Sequence, residues 1–315
     1  MGNTMSRKIF FNEGLHKYTD EYNNVFTSVT TVIGKYKEKF DTEKMARICA
    51  QIGRNPRHPK YLKYRGKTEK RLKAEWKRTT EIALDRGNDR HNYLEGIIKS
   101  CNNYNKVRDK FTKDRIFTIP DIVSNPVVGR VSLEKLKSLS LDKRYPLIYN
   151  TIKALVKEGW KIYAEIGTYS ADLLISGLVD LLLVKDDKFI IIDWKTNKAP
   201  ISFKSGYYEK DAQNNITNNF ILDHKTFEYP LQHIPASSGH TYTLQLSSYA
   251  YLIELFGLKL NHILLFHIRP SDINNQDSDE IIDVVGIKYL KTDVGNMLNH
   301  HASSIDIKTQ KGLFV

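Results

Sequence analysis

The 315-residue chain holds only two cysteines, Cys49 and Cys101. So few exclude a disulfide framework, a four-cysteine zinc site and a four-cysteine iron–sulfur cluster. No stretch reaches the ~18 consecutive apolar residues of a membrane-spanning helix. Met1 to Lys8 lacks the apolar core of a secretion signal. There is no G-x-x-x-x-G-K-[ST] phosphate loop, so neither a nucleotide cofactor nor an attached helicase motor is expected. Acids are in deficit: 36 Asp and Glu face 48 Lys and Arg, a formal charge of +12. That excess points to a polyanionic partner, either nucleic acid or an anionic membrane surface. The basic stretch is not a clean amphipathic helix with a large apolar face, which disfavours the membrane. What is present, 41% hydrophobic and 27% charged residues, describes a folded chain with a sizeable core.

The N-terminal part reads as strands at Lys8–Phe11, His16–Thr19 and Val25–Ile33, the last rich in β-branched residues. Helices are expected at Thr42–Gln51, at Thr68–Ile98 with a break near Gly87, and at Tyr145–Lys157 with Gly159 ending it. Asn102–Arg115 reads as a polar loop. Three successive strands follow at Trp160–Thr168, Asp172–Val184 and Lys188–Trp194, with Asp186-Asp187 as a turn. Their nearly unbroken apolar runs predict a sheet covered on both faces. Asn197–His240 is a long polar connection, a helix spans Tyr242–Phe256, and strands at Asn261–Ile268 and Ile281–Ile287 precede a last helix at Lys291–His301. The pattern predicts one mixed α/β domain.

Asp193-Trp194-Lys195 ends a buried strand, and a period of two puts Asp193 and Lys195 on one face and Trp194 on the other. Such a pair is also what a strand-end salt bridge looks like. Asp180 lies inside the preceding apolar strand, where an acid is costly unless paired or metal-bound. The hairpin brings it near Asp193. Two close carboxylates repel, and a divalent cation removes that penalty; a structural ion pair of Asp180 with Lys195 is the alternative. On a helix His91 shares a face with Glu95, and Gln245 lies one turn from Tyr249.

The order of these segments carries more than any one of them. A helical G-x-x-x-H at Gly87–His91 comes first, then a strand bearing Glu165, then G-x-x-D at Gly177–Asp180. Hydrophobic-D-x-K-T follows at Ile192–Thr196, then Q-x-x-x-Y at Gln245–Tyr249. This order resembles the RecB-like branch of the PD-(D/E)XK nucleases, phage-type stand-alone exonucleases in particular, over about Leu84 to Gly257. The resemblance implies a restriction-endonuclease-like core, a central mixed β-sheet flanked by helices. That core would span residues 84–257 with an insertion at 200–240, between a basic N-terminal extension (1–83) and closing strands and helix (258–315). It implies Mg²⁺ or Mn²⁺ held by Asp180, Asp193, the main-chain carbonyl of Trp194 and His91. Lys195 would position the attacking water and stabilise charge on the phosphate. Glu165 would orient Lys195 or a water, and Gln245 and Tyr249 would contact the DNA backbone or brace Lys195.

Arg54–Arg78 carries eleven Lys and Arg against two acids, with Tyr61, Tyr64 and Trp76 interleaved. Bases stack on aromatics and phosphates follow cations, the recipe for single-strand binding. Tyr61, Lys63, Tyr64, Arg65, Lys67 and Arg71 are the candidate contacts, with both tyrosines exposed and Trp76 in the core. The segment would arch over the active site. The function expected is a metal-dependent deoxyribonuclease, an exonuclease or flap-type enzyme acting on single-stranded DNA or DNA ends in phage replication or recombination. It would work in the cytoplasm, with a helicase or a single-strand-binding or annealing protein as possible partner. The alternative is a catalytically silent DNA-binding subunit of the same fold.

Overall fold

A computed structural model describes residues 6–12, 14–15, 17–101, 114–211 and 215–312. The chain begins with a small meander, β1 (Ile9–Asn12), β2 (Lys17–Asp20) and β3 (Val25–Ser28), and then turns into α1 (Val29–Gly34). The expected strand over Val25–Ile33 therefore ends five residues early. Ser28 is the reason: its hydroxyl accepts the Thr31 backbone N–H, capping a helix that β-branched composition alone would not predict. The helices α2 (Thr42–Ile52), α3 (Tyr61–Tyr64) and α4 (Glu69–Cys101) follow. The last runs 33 residues without a break at Gly87, so the expected division into two helices is incorrect. A lone glycine costs a helix only ~1 kcal/mol relative to alanine, which a helix of that length absorbs. Of the loop expected over Asn102–Arg115, residues 102–113 lie outside the described residues, and so does His16.

Short elements fill the next stretch: β4 (Asp114–Ile116), α5 (Ile119–Ser124), β5 (Arg130–Val131), α6 (Leu133–Ser138), α7 (Leu141–Arg144) and α8 (Pro146–Lys157). The centre is β6 (Lys161–Ser170), β7 (Ile175–Lys185) and β8 (Lys188–Lys195). A hairpin, β9 (Gly206–Lys210) and β10 (Ile216–Leu222), rises from the long polar connection. Then come α9 (Ser238–Glu254), β11 (Lys259–Asp272), β12 (Asn275–Gly286) and α10 (Lys291–Gly312).

Ten strands form one mixed sheet, in the order β12-β11-β8-β7-β3-β2-β1-β4, with β6 on β7 and β5 on β6. Helices flank the sheet, which is thus α/β, and no helix among the described residues is long and apolar enough to cross a membrane. One core lies between the sheet and α1, α5, α9 and α10, and includes Val179, Leu182, Ile191, Leu244 and Leu265. The other lies against α4 and α6–α8, and includes Leu181, Ile192, Trp194 and Phe266. The apolar runs of β7 and β8 serve both cores at once, which is why they do not alternate.

One irregularity of the sheet decides where chemistry can sit. β6 pairs with β7 along nearly its whole length. On the other edge of β7, β3 runs parallel to Ile175 and Ser176, whereas β8 runs antiparallel to Leu181–Lys185. Gly177 to Asp180 have no ladder partner on that edge among the described residues. β3 and β8 both end toward this fork, and the end of β8 is Asp193-Trp194-Lys195.

Candidate functional site

Asp180 sits at the fork because the β7–β8 ladder stops one residue short of it, at Leu181 and Ile192. The next bond in that direction is not strand to strand. The Trp194 backbone N–H instead donates a long bond, 3.5 Å, to Asp180 Oδ2. Asp193 is buried with 1% of its surface exposed, and Lys195 Nζ lies 2.7 Å from its Oδ2. That oxygen has no other hydrogen-bond partner among the described residues. Trp194 points to the opposite core, against Phe266, as the period of two requires. The ion pair therefore joins Lys195 to Asp193, not to Asp180.

Glu165 completes the acidic side. Its neighbours Ala164 and Ile166 pair with Leu181 and Val179, so Glu165 stands across from Asp180 on the far edge of β7. Glu165 is buried at 4% exposure and takes a left-handed backbone, φ 52°. Face alternation slips by one residue on both strands here: Tyr163 and Ile166 share a core, as do Val179 and Leu182. A non-glycine residue in that conformation costs roughly 1 kcal/mol or more. The kink turns two acids out of the regular ladder at one level of the sheet.

Burial pushes the Asp180 carboxyl well above the usual carboxylate range, and the Asp193 and Glu165 charges push the same way; Lys195 and the Trp194 N–H only partly oppose them. Burial works against the Lys195 charge, yet Asp193 and Asp180 together hold its pKa above that of an ordinary lysine. The site thus carries an ammonium, one carboxylate held by it, and a carboxyl that ionises reluctantly.

Helix α9 roofs the fork. Ser237 caps its start by accepting the His240 N–H. One turn apart, Gln245 Nε2 donates to Tyr249 Oη at 2.9 Å. Burial raises the Tyr249 hydroxyl pKa far above normal, with Tyr18, Asp193 and Asp180 adding to the effect, so the phenol stays protonated. The Tyr249 ring lies directly on Gly177, where a Cβ would collide with it. Upstream on the same helix, Tyr242 presents its ring 5.4 Å from the Lys195 ammonium, a cation–π contact.

Two residues of this neighbourhood give no signal in a one-dimensional reading. Tyr18 on β2 is buried, and its hydroxyl pKa is raised by burial and by Glu165 and Asp180. His267 on β11 stands in register with Lys195 and is 1% exposed. Its Nε2 is 2.7 Å from the Asn197 carbonyl oxygen, and the Asn197 side chain accepts the Tyr242 hydroxyl at 3.0 Å. A continuous set of contacts thus leads from His267 to the ring beneath Lys195. A lone histidine in an apolar strand, 72 residues after Lys195, offers no motif; strand order alone brings it here.

His91 lies on α4, and its side chain is outside the described residues. Without it the donors are Asp180, Asp193, Glu165 and main-chain oxygens. These are hard oxygen ligands of the kind Mg²⁺ and Mn²⁺ take. Burial first, and then repulsion from Asp193 and Glu165, disfavours the Asp180 carboxylate, and a bound cation would offset both, so the residues fit such an ion. Among the described residues no three His, Cys, Asp or Glu side chains converge tightly enough to hold a metal alone. Water would complete the shell, as it does for most protein-bound Mg²⁺.

The basic segment packs on a small cluster of its own. Tyr61 and Tyr64 are both half-buried, Tyr64 against Cys49, Ala50 and Leu72, which corrects the expectation that the two are exposed. Gly53 permits this, because its missing side chain leaves room for the Tyr64 carbonyl. Trp76 packs on the same cluster, with Phe40 edge-on at 5.9 Å. Lys67 and Arg71 both bind Glu75, at 2.7 and 3.0 Å, so part of their charge is already answered. Arg65 lies over Tyr61 and Lys63 over Tyr64, each 5.8 Å from the ring. The segment meets the β9–β10 hairpin, where Lys60 faces Tyr207.

No protein-family model matches the chain, and no curated protein matches it.

Proposed function

We propose that this protein is a metal-dependent deoxyribonuclease of the PD-(D/E)XK type, an exonuclease or flap-type enzyme that takes single-stranded DNA or DNA ends. The observation that carries the reading is the convergence of Asp180, Asp193 and Lys195 at one fork in the sheet, with Glu165 across the strand. A buried ammonium beside two or three carboxyls has little structural value, since apolar residues of equal volume would hold the fold as well. Chemistry on a phosphodiester gives the group a purpose.

Asp180 and Asp193, with the Trp194 carbonyl and His91, would hold Mg²⁺ or Mn²⁺. When bound, such an ion lowers the pKa of water and offsets charge on the phosphate. Lys195 orients the attacking water and donates to the phosphate oxygen on which charge grows. The contacts through Tyr242 and Asn197 hold that ammonium in place. Gln245 and Tyr249 close the far wall, with the protonated phenol available as a donor. The water oxygen bonds to phosphorus as its proton passes to solvent, the ester P–O bond breaks, and the leaving oxygen takes a proton from solvent. Glu165 keeps the acidic side fixed, through its position opposite Asp180. Replication, recombination or end processing in the cytoplasm, beside a helicase or an annealing protein, is the setting that suits such an activity.

Cleavage of end-labelled single-stranded, duplex and flap DNA, with Mg²⁺, Mn²⁺ or EDTA and beside Asp193→Ala, tests the reading. Metal-dependent products absent from the variant support it, and the ladder from each labelled end gives the polarity. Equal cleavage by the variant would remove the site assignment. Tight, salt-sensitive DNA binding without cleavage would favour the silent binding subunit.

A further inference from the structure

The long polar connection between β8 and α9 has no part in the chemistry above, yet it builds a surface of its own. Its β9–β10 hairpin stands against α3, and the two elements enclose a cleft of about 490 Å³. Pro59, Lys60, Leu62 and Lys63 form one wall, and Tyr207, Tyr208 and Lys210 are on the other. A second cleft of about 420 Å³ adjoins it, sharing Lys63 and Lys210 and reaching Lys67 and Trp76 on α4. The two together make a trough that passes between Lys63 and Lys210.

The charges in this trough are poorly answered. Lys60, Lys63 and Lys210 form no ion pair among the described residues, although Glu209 and Asp211 lie on the same rim. Lys63 is half-buried, and burial together with Lys210, Lys60 and Lys67 disfavours its charge. Ammonium groups gathered without an ion-pair partner are costly in the free protein and are relieved by an anion. The apolar component is also unusual for a surface. Leu62 is 73% and Tyr207 49% exposed, while Tyr208 is braced edge-on by Phe220 at 5.0 Å. Lys60 approaches the Tyr207 ring at 6.0 Å, so one ring offers a face to a base beside a cation for its phosphate.

We propose that the β9–β10 hairpin and α3 form a binding trough for a single strand of nucleic acid, with Lys60, Lys63 and Lys210 on the phosphates and Tyr207 as a stacking platform. The proposal deepens the nuclease reading by assigning it a track for the strand. It stands on binding alone and so survives if cleavage is not found. A single strand fits better than a duplex, because a duplex hides the base faces that Tyr207 and Leu62 would meet. The hairpin thus becomes a recognition element, and its length is explained by the need to reach α3.

The test uses the full chain in EDTA, where no metal-dependent cleavage can occur. Binding of a fluorescent oligothymidylate is followed by anisotropy over a range of salt concentrations. Each phosphate contact on a single strand contributes about 0.7 to the slope of log K against log salt. Lys63→Ala with Lys210→Ala should reduce that slope by about 1.4 and weaken binding at least tenfold at low salt. Tyr207→Ala should weaken binding about tenfold and leave the slope unchanged, because stacking carries no counterion release. A Tyr207→Phe variant should bind like the wild type. Unchanged binding in the lysine double variant, with its thermal melt unaltered, would overturn the proposal. So would equal competition by anionic phosphatidylserine vesicles at matched phosphate, since the trough would then be a general anion surface. A separate reading on the same proteins without EDTA, Mn²⁺-dependent release of nitrophenol from bis(p-nitrophenyl) phosphate, reports the catalytic site. Absence of that activity in the wild type, with intact oligonucleotide binding, would count against the nuclease and not against the trough.

Discussion

The ring of Tyr249 occupies the space in which a side chain at position 177 would begin. Gly177 lies in β7 three residues before Asp180, and Tyr249 lies on α9 one turn after Gln245, which donates to its hydroxyl. The pair seats the helix on the fork and so fixes the distance from α9 to the acids. The spacing G-x-x-D on the strand and Q-x-x-x-Y on the helix are two halves of one contact.

Gly177→Ala should therefore act on the whole roof. The added methyl group must displace a fully enclosed ring, and overpacking of this kind costs about 1–3 kcal/mol. Denaturant unfolding should show that loss, and combining it with Tyr249→Leu should recover part of it. Additive losses in the double variant would mean that the two residues are not coupled.

The acids at the fork make stability depend on pH in a defined sense. The Asp180 pKa is raised on folding, by burial first and by Asp193 and Glu165 next. The folded state thus binds the proton more tightly than the unfolded chain does. Stability should fall as pH rises from the ordinary aspartate value through the raised one. Asp180→Asn should flatten this fall and raise the melting temperature of the metal-free protein at neutral pH while abolishing cleavage. A lower melting temperature for Asp180→Asn at neutral pH would show that the carboxylate is well satisfied without a cation.

Added Mg²⁺ or Mn²⁺ should stabilise the wild type at neutral pH, where Asp180 must otherwise ionise against its neighbours. A ligand at one hundred times its dissociation constant contributes about 2.7 kcal/mol. Calorimetry should give this shift for the wild type and not for Asp180→Asn or Asp193→Ala. An equal shift in all three would place the cation elsewhere.

His267 titrates in the opposite direction. Burial lowers its pKa, although the Asn197 carbonyl and Asp283 resist the change. Its neutral form contributes stability that is complete above the ordinary histidine pKa and is lost as pH falls through the window below that value. His267→Gln should reduce that acid sensitivity. By loosening Asn197 and Tyr242 it should also lower turnover more than substrate affinity, a split measurable as kcat against KM. A change in KM alone would make His267 a part of the core and nothing more.

Lys195→Ala removes the cation that answers Asp193. Cleavage should drop by roughly two orders of magnitude or more, in line with the removal of a group that meets developing charge. Oligonucleotide binding in EDTA should change little. A variant that retained most of its cleavage would return Lys195 to the role of a structural ion pair.

Much of the central fold is written in local sequence. The runs of β6, β7 and β8 are apolar enough to demand burial on both faces, and Asp186-Asp187 can only be a turn between them. That hairpin alone brings Asp180 to the level of Asp193, and the period of two puts Lys195 beside Asp193. Local chemistry also misleads where a single side chain decides: Ser28 turns a β-branched run into a helix, and Gly87 leaves α4 whole. Other features depend on partners far away in the chain. The fork exists because β3, 150 residues earlier, takes one end of an edge that β8 takes at the other. His267 reaches Lys195 only through parallel pairing of β11 with β8, and Tyr18 reaches the acids only through the N-terminal meander. The hairpin in the 200–240 insertion acquires its trough by meeting α3 from another part of the sequence. Periodicity and burial cost act over a few residues, so the sequence by itself determined the strands, their faces and the acids they carry. Edge sharing between distant strands is a matter of three-dimensional closure, and only the tertiary structure decided where the ladder opens and what lines the opening.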